Sequence, residues 1–145
     1  MKAWITIADF AQVHAGKLFV SGGGISLVQE GPSTFGVAVQ VVVPWEERTR
    51  KRRFACTLFD IDGHATSIET PTGAMQIGTG GEFEVQAAPG SPLGMDLTFS
   101  LAFNVSGISL PAGSYQWRLI IDDEVQPSAV TAFYVQKAPI RISRS

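Results

Sequence analysis

Apolar and polar side chains alternate with a period of two along most of this chain. In the longest such run, apolar residues occupy every second position: Leu97, Phe99, Leu101, Phe103 and Val105. Alternate valines from Val37 to Val43 repeat the pattern, which ends at Pro44. Successive side chains of a β-strand point to opposite faces of a sheet, so this alternation predicts strands that are buried on one face. Helical periodicity is almost absent.

The last third of the chain predicts a pair of antiparallel strands. A turn at 111–113 precedes a segment in which four side chains share one face: Tyr115, Trp117, Leu119 and Ile121. The acidic stretch Asp122-Asp123-Glu124 follows as a predicted solvent-exposed turn, and an alternating segment at 130–137 completes the pair. This arrangement is typical of the closing hairpin of an immunoglobulin-like β-sandwich.

Turn residues divide the rest of the chain into short strands. Glycine and proline clusters separate the strands, and we interpret both Asp62-Gly63 and Gly78-Thr79-Gly80-Gly81 as turns. The predicted strands are 2–10, 16–21, 24–29, 35–43, 52–61, 64–69, 74–78, 81–87, 95–105, 114–121 and 130–137. We therefore predict an all-β fold, an immunoglobulin-like antiparallel β-sandwich. It forms a single domain at 1–139, followed by a C-terminal tail at 140–145.

Charge and hydropathy exclude several classes of protein. The 145-residue chain has a net charge of −2, which gives no bulk attraction to nucleic acid or to an anionic membrane. Its first residues do not resemble a secretory signal, and no apolar run approaches the ~20 residues that a membrane helix needs. We therefore expect a cytoplasmic protein that does not bind membranes.

Residues with catalytic or metal-binding chemistry are few. Cys56 is the only cysteine and is predicted to be a buried apolar residue, while His14 and His64 have no second ligand at metal spacing. The segment Asp60-Ile61-Asp62-Gly63 resembles the start of a calcium loop, but proline stands where an EF-hand needs its glutamate, so it predicts a hairpin turn. No catalytic motif is present. We predict no enzymatic activity, no cofactor and no metal. A third possible function is that of an enzyme whose catalytic carboxylates are brought together from distant loops.

The strongest anomaly is a basic run that holds five of the eleven basic residues: Arg48, Arg50, Lys51, Arg52 and Arg53. With Trp45 just upstream, the run combines an aromatic residue with cations, as polyanion-binding surfaces do. Strand alternation would place Arg50 and Arg52 on one face and Lys51 and Arg53 on the other, which predicts a two-sided ridge. The alternative is a solvated strand edge that resists aggregation. Two acids directly before the run, Glu46 and Glu47, favour that alternative.

Several short segments resemble a known family. They are Met1-Lys2-Ala3-Trp4, Ala8-Asp9, Gly16-Lys17-Leu18, Gly22-Gly23-Gly24, Val43-Pro44-Trp45-Glu46, Gly81-Glu82-Phe83-Glu84-Val85 and Pro111-Ala112-Gly113-Ser114-Tyr115-Gln116-Trp117-Arg118-Leu119. Together they are similar to a family of small uncharacterised proteins of actinobacteria and their phages, over nearly the whole chain. The matching segments are turns, strand starts and aromatic residues. The resemblance therefore implies a fold and no catalytic residues.

The sequence favours a non-enzymatic binding or assembly module that acts through protein–protein contacts, with a protein partner or a second copy of itself. A phage or accessory structural component fits this description. One alternative is a small-ligand or carbohydrate-binding sandwich, for which five aromatic residues are available: Trp4, Trp45, Trp117, Tyr115 and Tyr134. Most of these alternate into predicted strand faces and are expected in the core, with Trp45 as the exception. The other alternative is polyanion binding, including nucleic acid, at the basic run.

Overall fold

The computed structural model describes residues 1–137 and shows an all-β protein. The predicted tail at 140–145 lies outside the described residues. The strands are β1 (Lys2–Ala8), β2 (Phe10–His14), β3 (Lys17–Ser21), β4 (Leu27–Gln29), β5 (Pro32–Val43), β6 (Arg52–Asp60), β7 (Ser67–Thr70), β8 (Gly73–Gln76), β9 (Gly78–Phe83), β10 (Leu97–Ser109), β11 (Gly113–Ile121) and β12 (Glu124–Gln136). A short 3-10 helix at Trp45–Glu47 separates β5 from β6.

Two sheets pack against each other to form the body of the protein. Sheet I has the order β1-β5-β10, and sheet II has the order β4-β12-β11-β6-β9. Two smaller sheets are hairpins, β2-β3 and β7-β8. Neighbouring strands are antiparallel, apart from the parallel pair of β12 and β4.

The alternating residues fill the space between the sheets, as the sequence predicts. On sheet I, alternate valines from Val37 to Val43 are buried, and on sheet II the buried residues include Tyr115, Trp117, Leu119 and Ile121. Residues of both sheets belong to one hydrophobic cluster. Burial of apolar surface at about 25 cal/mol per Å² makes this shared layer the main source of stability.

A hydrogen bond at the start of β11 resembles a feature of immunoglobulin-like sandwiches. The Tyr115 hydroxyl donates to the carbonyl oxygen of Pro111 at 2.8 Å, as in the tyrosine corner of such domains. The hydroxyl is thereby satisfied while the ring is buried. The fold is all-β with several antiparallel sheets, and the immunoglobulin-like topology stays a prediction.

One side of the sandwich is closed by side-chain hydrogen bonds between an edge of sheet I and sheet II. Ser128 on β12 donates its hydroxyl to the carbonyl oxygen of Ala3 at 2.7 Å, and Thr131 donates to that of Ile5 at 2.9 Å. These bonds satisfy backbone groups on the outer edge of β1. On the opposite side, β10 and β9 are the last strands of their sheets.

The β2-β3 hairpin packs on the outer face of sheet I. Small residues make this approach feasible, because a Cβ at Gly36 would lie 2.6 Å from the backbone nitrogen of Ala11. Asn104 on β10 fixes the hairpin through its side-chain amide. Its Nδ2 donates to the carbonyl oxygen of Ala11 at 2.9 Å, and its Oδ1 accepts from the Ala11 N–H at 3.2 Å.

Several predicted strands differ from the structure: the predicted strand 2–10 is divided between β1 and β2, the predicted strand 81–87 ends at Phe83, and β7 begins at Ser67 rather than at 64. Two further differences have identifiable reasons. The glycine-rich segment interpreted as a turn forms most of β9, where a Cβ at Gly78 would lie only 2.3 Å from the Cys56 carbonyl oxygen. Glycine here permits close strand approach, which is its other common use. The last strand begins at Glu124 because Pro127 lies within a register irregularity of the β11-β12 pair, where proline is tolerated.

Candidate functional site

Trp45 lies in the 3-10 helix before the basic run and is partly buried. The guanidinium carbon of Arg48 is 4.0 Å from the centre of the indole ring, and Arg48 Nη1 donates to the Trp45 carbonyl oxygen at 2.9 Å. The cation therefore covers one face of the ring. A ligand that stacks on that face would have to displace Arg48.

Arg52 is buried, contrary to its expected place on a surface ridge. The residue is 6% exposed and is the only charged residue buried among those that the structure describes. Its Nη2 lies 2.6 Å from Oε1 of Glu47, and its Nη1 lies 3.1 Å from Oδ2 of Asp122. Two carboxylates thus neutralise Arg52, and it links the 3-10 helix to the β11-β12 turn.

Two other cations of the run also lie beside acids. Arg53 Nη2 is 3.0 Å from Oδ2 of Asp123, and Lys51 Nζ is 3.8 Å from Oε2 of Glu82. Both of these pairs are exposed. Because Arg52 is buried and β6 begins only at that residue, the predicted two-sided ridge does not form. Arg50 is exposed and has no salt bridge among the described residues, although its charge helps to lower the pKa of Asp122. Three of the five cations thus lie beside acids, and the surface at the run carries mixed charge.

The acidic cluster of the β11-β12 turn takes part in these contacts. Asp122 and Asp123 have φ angles of 49° and 67°, the two positive values of a two-residue type I′ hairpin turn. The Arg53 N–H donates to Asp122 Oδ1 at 3.0 Å. This backbone hydrogen bond, followed by the Arg52 guanidinium, holds the pKa of Asp122 below its usual value. The cluster is therefore a structural partner of the basic run rather than only a solvated tip.

The Asp60–Gly63 segment forms the predicted turn, with the Gly63 N–H donating to the Asp60 carbonyl oxygen at 3.1 Å. The turn places ligand atoms of Asp60, Asp62 and His64 within 4.8 Å of one another. The expectation that His64 has no neighbouring ligand is therefore wrong. Asp60 Oδ1 accepts the backbone N–H groups of Asp62 and His64, each at 3.0 Å. These bonds account for the cluster as part of the turn.

Cys56 is fully buried in the centre of sheet II, which confirms its interpretation as an apolar core residue. Burial raises the pKa of its thiol from 9.0 to about 12. Since the thiolate is the reactive form, this environment suppresses nucleophilic chemistry.

We expect Cys56 to be unreactive toward thiol reagents in the native protein at mildly alkaline pH. The raised pKa reduces the thiolate fraction about a thousandfold relative to an ordinary cysteine, and burial also blocks access. Labelling with an aromatic disulfide reagent, followed by absorbance, measures the rate. Labelling in denaturant provides the control and should be fast. Stoichiometric labelling of the native protein within seconds would contradict the assignment.

The aromatic residues that could form a ligand-binding platform divide between core and surface. Trp117 and Tyr115 are buried, as expected. Trp4 and Tyr134 are 42% and 48% exposed, so their expected core positions are wrong. Both lie on outer sheet faces, because the residues flanking them in each strand point inward.

Strand β10 has the clearest features of a contact surface, and we call its Leu97–Val105 segment the β10 edge. In the described part of the chain, β10 pairs with β5 alone, so every second residue directs its N–H and C=O away from sheet I. Its inward-facing residues Phe99, Leu101 and Phe103 are only partly buried. The alternation predicts that the inward face of β10 is largely buried. Leu97 and Val105, at the two ends of this face, are buried as predicted, whereas the three residues at its centre are not.

The β10 edge lacks three of the devices that usually protect an exposed strand, and the register irregularity of β10 lies between Val105 and Ile108, beyond this segment. Natural edge strands carry charged side chains, proline or short lengths that prevent pairing with other chains. Strand β10 has 13 residues and contains neither a charged residue nor a proline. The alternation in the sequence identifies the strand but not its edge position. The uncharged run from 97 to 109 is the one local signal of an unprotected edge.

A groove lies beside the β10 edge, between the two sheets. It has a volume of about 350 Å³, and the apolar side chains that line it include Ile68, Met75, Phe103, Val105 and Ile108. Nearer the other end of the strand, the Phe99 ring stacks on Phe83 with a centroid distance of 4.5 Å. An added strand would thus meet both unpaired backbone groups and apolar side chains.

The sequence profile of a family of unknown function, DUF6941, matches residues 3–136. No curated protein matches the chain. Among the described residues, no helix has the length and apolar character required to cross a membrane.

Proposed function

We propose that this chain, which belongs to the DUF6941 family of unknown function, is a non-enzymatic binding or assembly module that acts through protein–protein contacts. The observation that carries the proposal is the unprotected β10 edge. Backbone groups at a sheet edge bind an extended segment through ladder hydrogen bonds, and neighbouring apolar grooves accept its side chains. The edge and the adjoining groove together provide both elements.

The contacts of the basic run support this proposal over polyanion binding. Arg52 is neutralised by Glu47 and Asp122, while Arg53 lies beside Asp123. Affinity for nucleic acid depends on cations that release counterions from phosphates. Cations already paired with carboxylates are poor candidates for that exchange, which leaves Arg48, held against Trp45, and the exposed Arg50 as the cations of the run without an acidic partner among the described residues.

The position of Trp45 supports the same choice over carbohydrate or small-ligand binding. A stacking platform needs an aromatic face open to solvent, whereas the Trp45 ring is partly buried and lies beneath Arg48. The partly exposed rings of Trp4 and Tyr134 lie on different sheets and do not form a common platform. We favour a cytoplasmic protein that is a structural or accessory component of an actinobacterial cell or phage.

We expect a lysine on the β10 edge to abolish most partner binding. Ser100 lies on the outer face of β10, so Ser100→Lys places a charge at the edge in the way natural edges are protected. The expected loss of affinity is about tenfold or more, or ~1.4 kcal/mol. Gln40→Lys is the matched control, because Gln40 faces Ser100 from the central strand β5 and donates to its hydroxyl at 3.5 Å.

The comparison uses light scattering across a concentration series and quantitative capture of proteins from an extract of the native host. Thermal melting checks that both variants fold. We expect assembly or capture to fall for Ser100→Lys and to persist for Gln40→Lys. Equal behaviour of the two variants, with wild-type binding intact, would remove β10 as the contact surface.

A further inference from the structure

We infer that the β10 edge binds a second copy of this chain, antiparallel and about a two-fold axis at Leu101. This inference rests on the proposed function and adds the identity and register of the partner. A two-fold interface is isologous, so the same strand must complement itself. The order of side chains along β10 meets that requirement.

The segment Leu97–Val105 is chemically palindromic about Leu101. In the two-fold register each residue faces the residue at the same distance on the other side of Leu101. The pairs are Leu97 with Val105, Thr98 with Asn104, Phe99 with Phe103, Ser100 with Ala102, and Leu101 with itself. Aliphatic thus faces aliphatic, polar faces polar, aromatic faces aromatic and small faces small. Directly opposed pairs of this kind are the unit of sheet stabilisation.

Electrostatics allow this pairing. Identical strands that carry charge repel each other when they are directly opposed, which is why charged edges prevent self-association. The β10 edge has no charged side chain, and the whole chain carries a net charge of only −2. Repulsion between two copies is therefore weak at the contact and small over the molecule.

The paired strands would cover the part of the core that sheet II leaves open. Phe103 is partly buried and lies 5.4 Å from the ring of Trp117, while Phe99 contacts Phe83 and Phe54. Pairing places Phe99 of one copy opposite Phe103 of the other, beside the apolar groove. Both rings lose water contact, which provides a hydrophobic gain in addition to the ladder hydrogen bonds. The two copies of sheet I become one continuous sheet of six strands.

The other sheet edges fit a second copy less well. The outer edge of β1 accepts hydrogen bonds from Ser128 and Thr131. Strand β4 has only three residues, and β9 is rich in glycine and carries Glu82. Among the described strands at the edges of the two main sheets, β10 alone is long and uncharged and has a second backbone edge without a strand partner; the β2-β3 hairpin contacts its outer face, at Asn104.

Cysteine cross-linking tests the register. Directly opposed residues of an antiparallel pair have Cα atoms about 4.5–5.5 Å apart, within the range of a disulfide. Ser100 and Ala102 face each other across the proposed axis. Mixing Ser100→Cys with Ala102→Cys protein should therefore give a disulfide-linked dimer under mild oxidation, whereas each variant alone should give little. Cys56 is buried and does not compete.

Light scattering of the wild-type protein completes the test. We expect a concentration-dependent dimer whose dissociation constant rises about tenfold or more with Ser100→Lys. A monomer at all concentrations, or a cross-link of Ser100→Cys with itself, would overturn the inference. If the purified chain is monomeric but Ser100→Lys still reduces capture of another protein, the dimer fails and the proposed function stands. If Ser100→Lys changes neither dimer nor capture, the proposed function fails as well.

Discussion

Replacing Trp117 with alanine is expected to lower the free energy of unfolding by about 3–5 kcal/mol. The side chain is fully buried between the sheets. Its ring makes edge-to-face contacts with Phe35 and Phe103, at centroid distances of 6.3 and 5.4 Å. Truncation removes these contacts and leaves a cavity at the centre of a packed layer, where neighbours relax only partly.

Trp4→Ala provides the control for this experiment, because Trp4 is 42% exposed and lies on an outer face. Its loss should cost much less than that of Trp117. A third variant, Trp117→Phe, should also lose less, since Trp117 Nε1 has no hydrogen-bond partner among the described residues and phenylalanine removes that buried donor. Urea denaturation of all three measures the differences. Equal midpoints for Trp117→Ala and Trp4→Ala would show that Trp117 is not the centre of the core.

The core could be predicted from the sequence because strand alternation is a local signal. The positions of Val39, Trp117 and Leu119 follow from the period of two, and each is buried as expected. Glycine was less informative, because one residue type serves two purposes. At Gly63 it allows a positive φ in a turn, whereas in β9 it lets two strands approach closely. A glycine in a turn and a glycine at a close strand contact can be distinguished only when the position of the neighbouring strand is known.

The surroundings of the basic run could not be predicted from local sequence. The first acidic neighbour of Arg52, Glu47, is five positions away, but the second, Asp122, is 70 positions away in a different hairpin. Alternation gives the face of a side chain and not what lies on that face. The run therefore suggested a cationic surface, and the fold instead places one of its arginines inside an ion-pair cluster.

The role of β10 depends on topology in the same way. A strand with alternating apolar residues is buried on one face wherever it lies, but how completely depends on its place in the sheet. At the edge of sheet I, the central residues Phe99 and Leu101 remain partly exposed. The sequence shows that this strand is uncharged, and the sheet order shows that the uncharged strand is an edge. The candidate contact surface can therefore be identified only when the lack of charge and the edge position of β10 are both known.

Arg52→Met is expected to lower the free energy of unfolding by about 2–3 kcal/mol. The substitution retains most of the buried aliphatic stem and removes the guanidinium, which hydrogen-bonds to Glu47 and Asp122. The two acids have side chains that are 34% and 38% exposed, so they remain partly hydrated after the change. The loss should therefore be smaller than for a carboxylate left fully buried.

Arg53→Met is the matched control, because it removes the same group from the next residue. Arg53 has a side chain that is 68% exposed, beside an acid that is 86% exposed, and such surface pairs contribute about 0.2–1 kcal/mol. The pH dependence gives a second criterion. Because the pKa of Asp122 is lowered in the fold, its stabilising contribution is present above the usual carboxyl pKa and is lost as the pH falls through the lowered value. The difference between wild type and Arg52→Met should shrink over that acidic range. If the two variants were equally stable at neutral pH, Arg52 would not be the residue that joins the 3-10 helix to the β11-β12 turn.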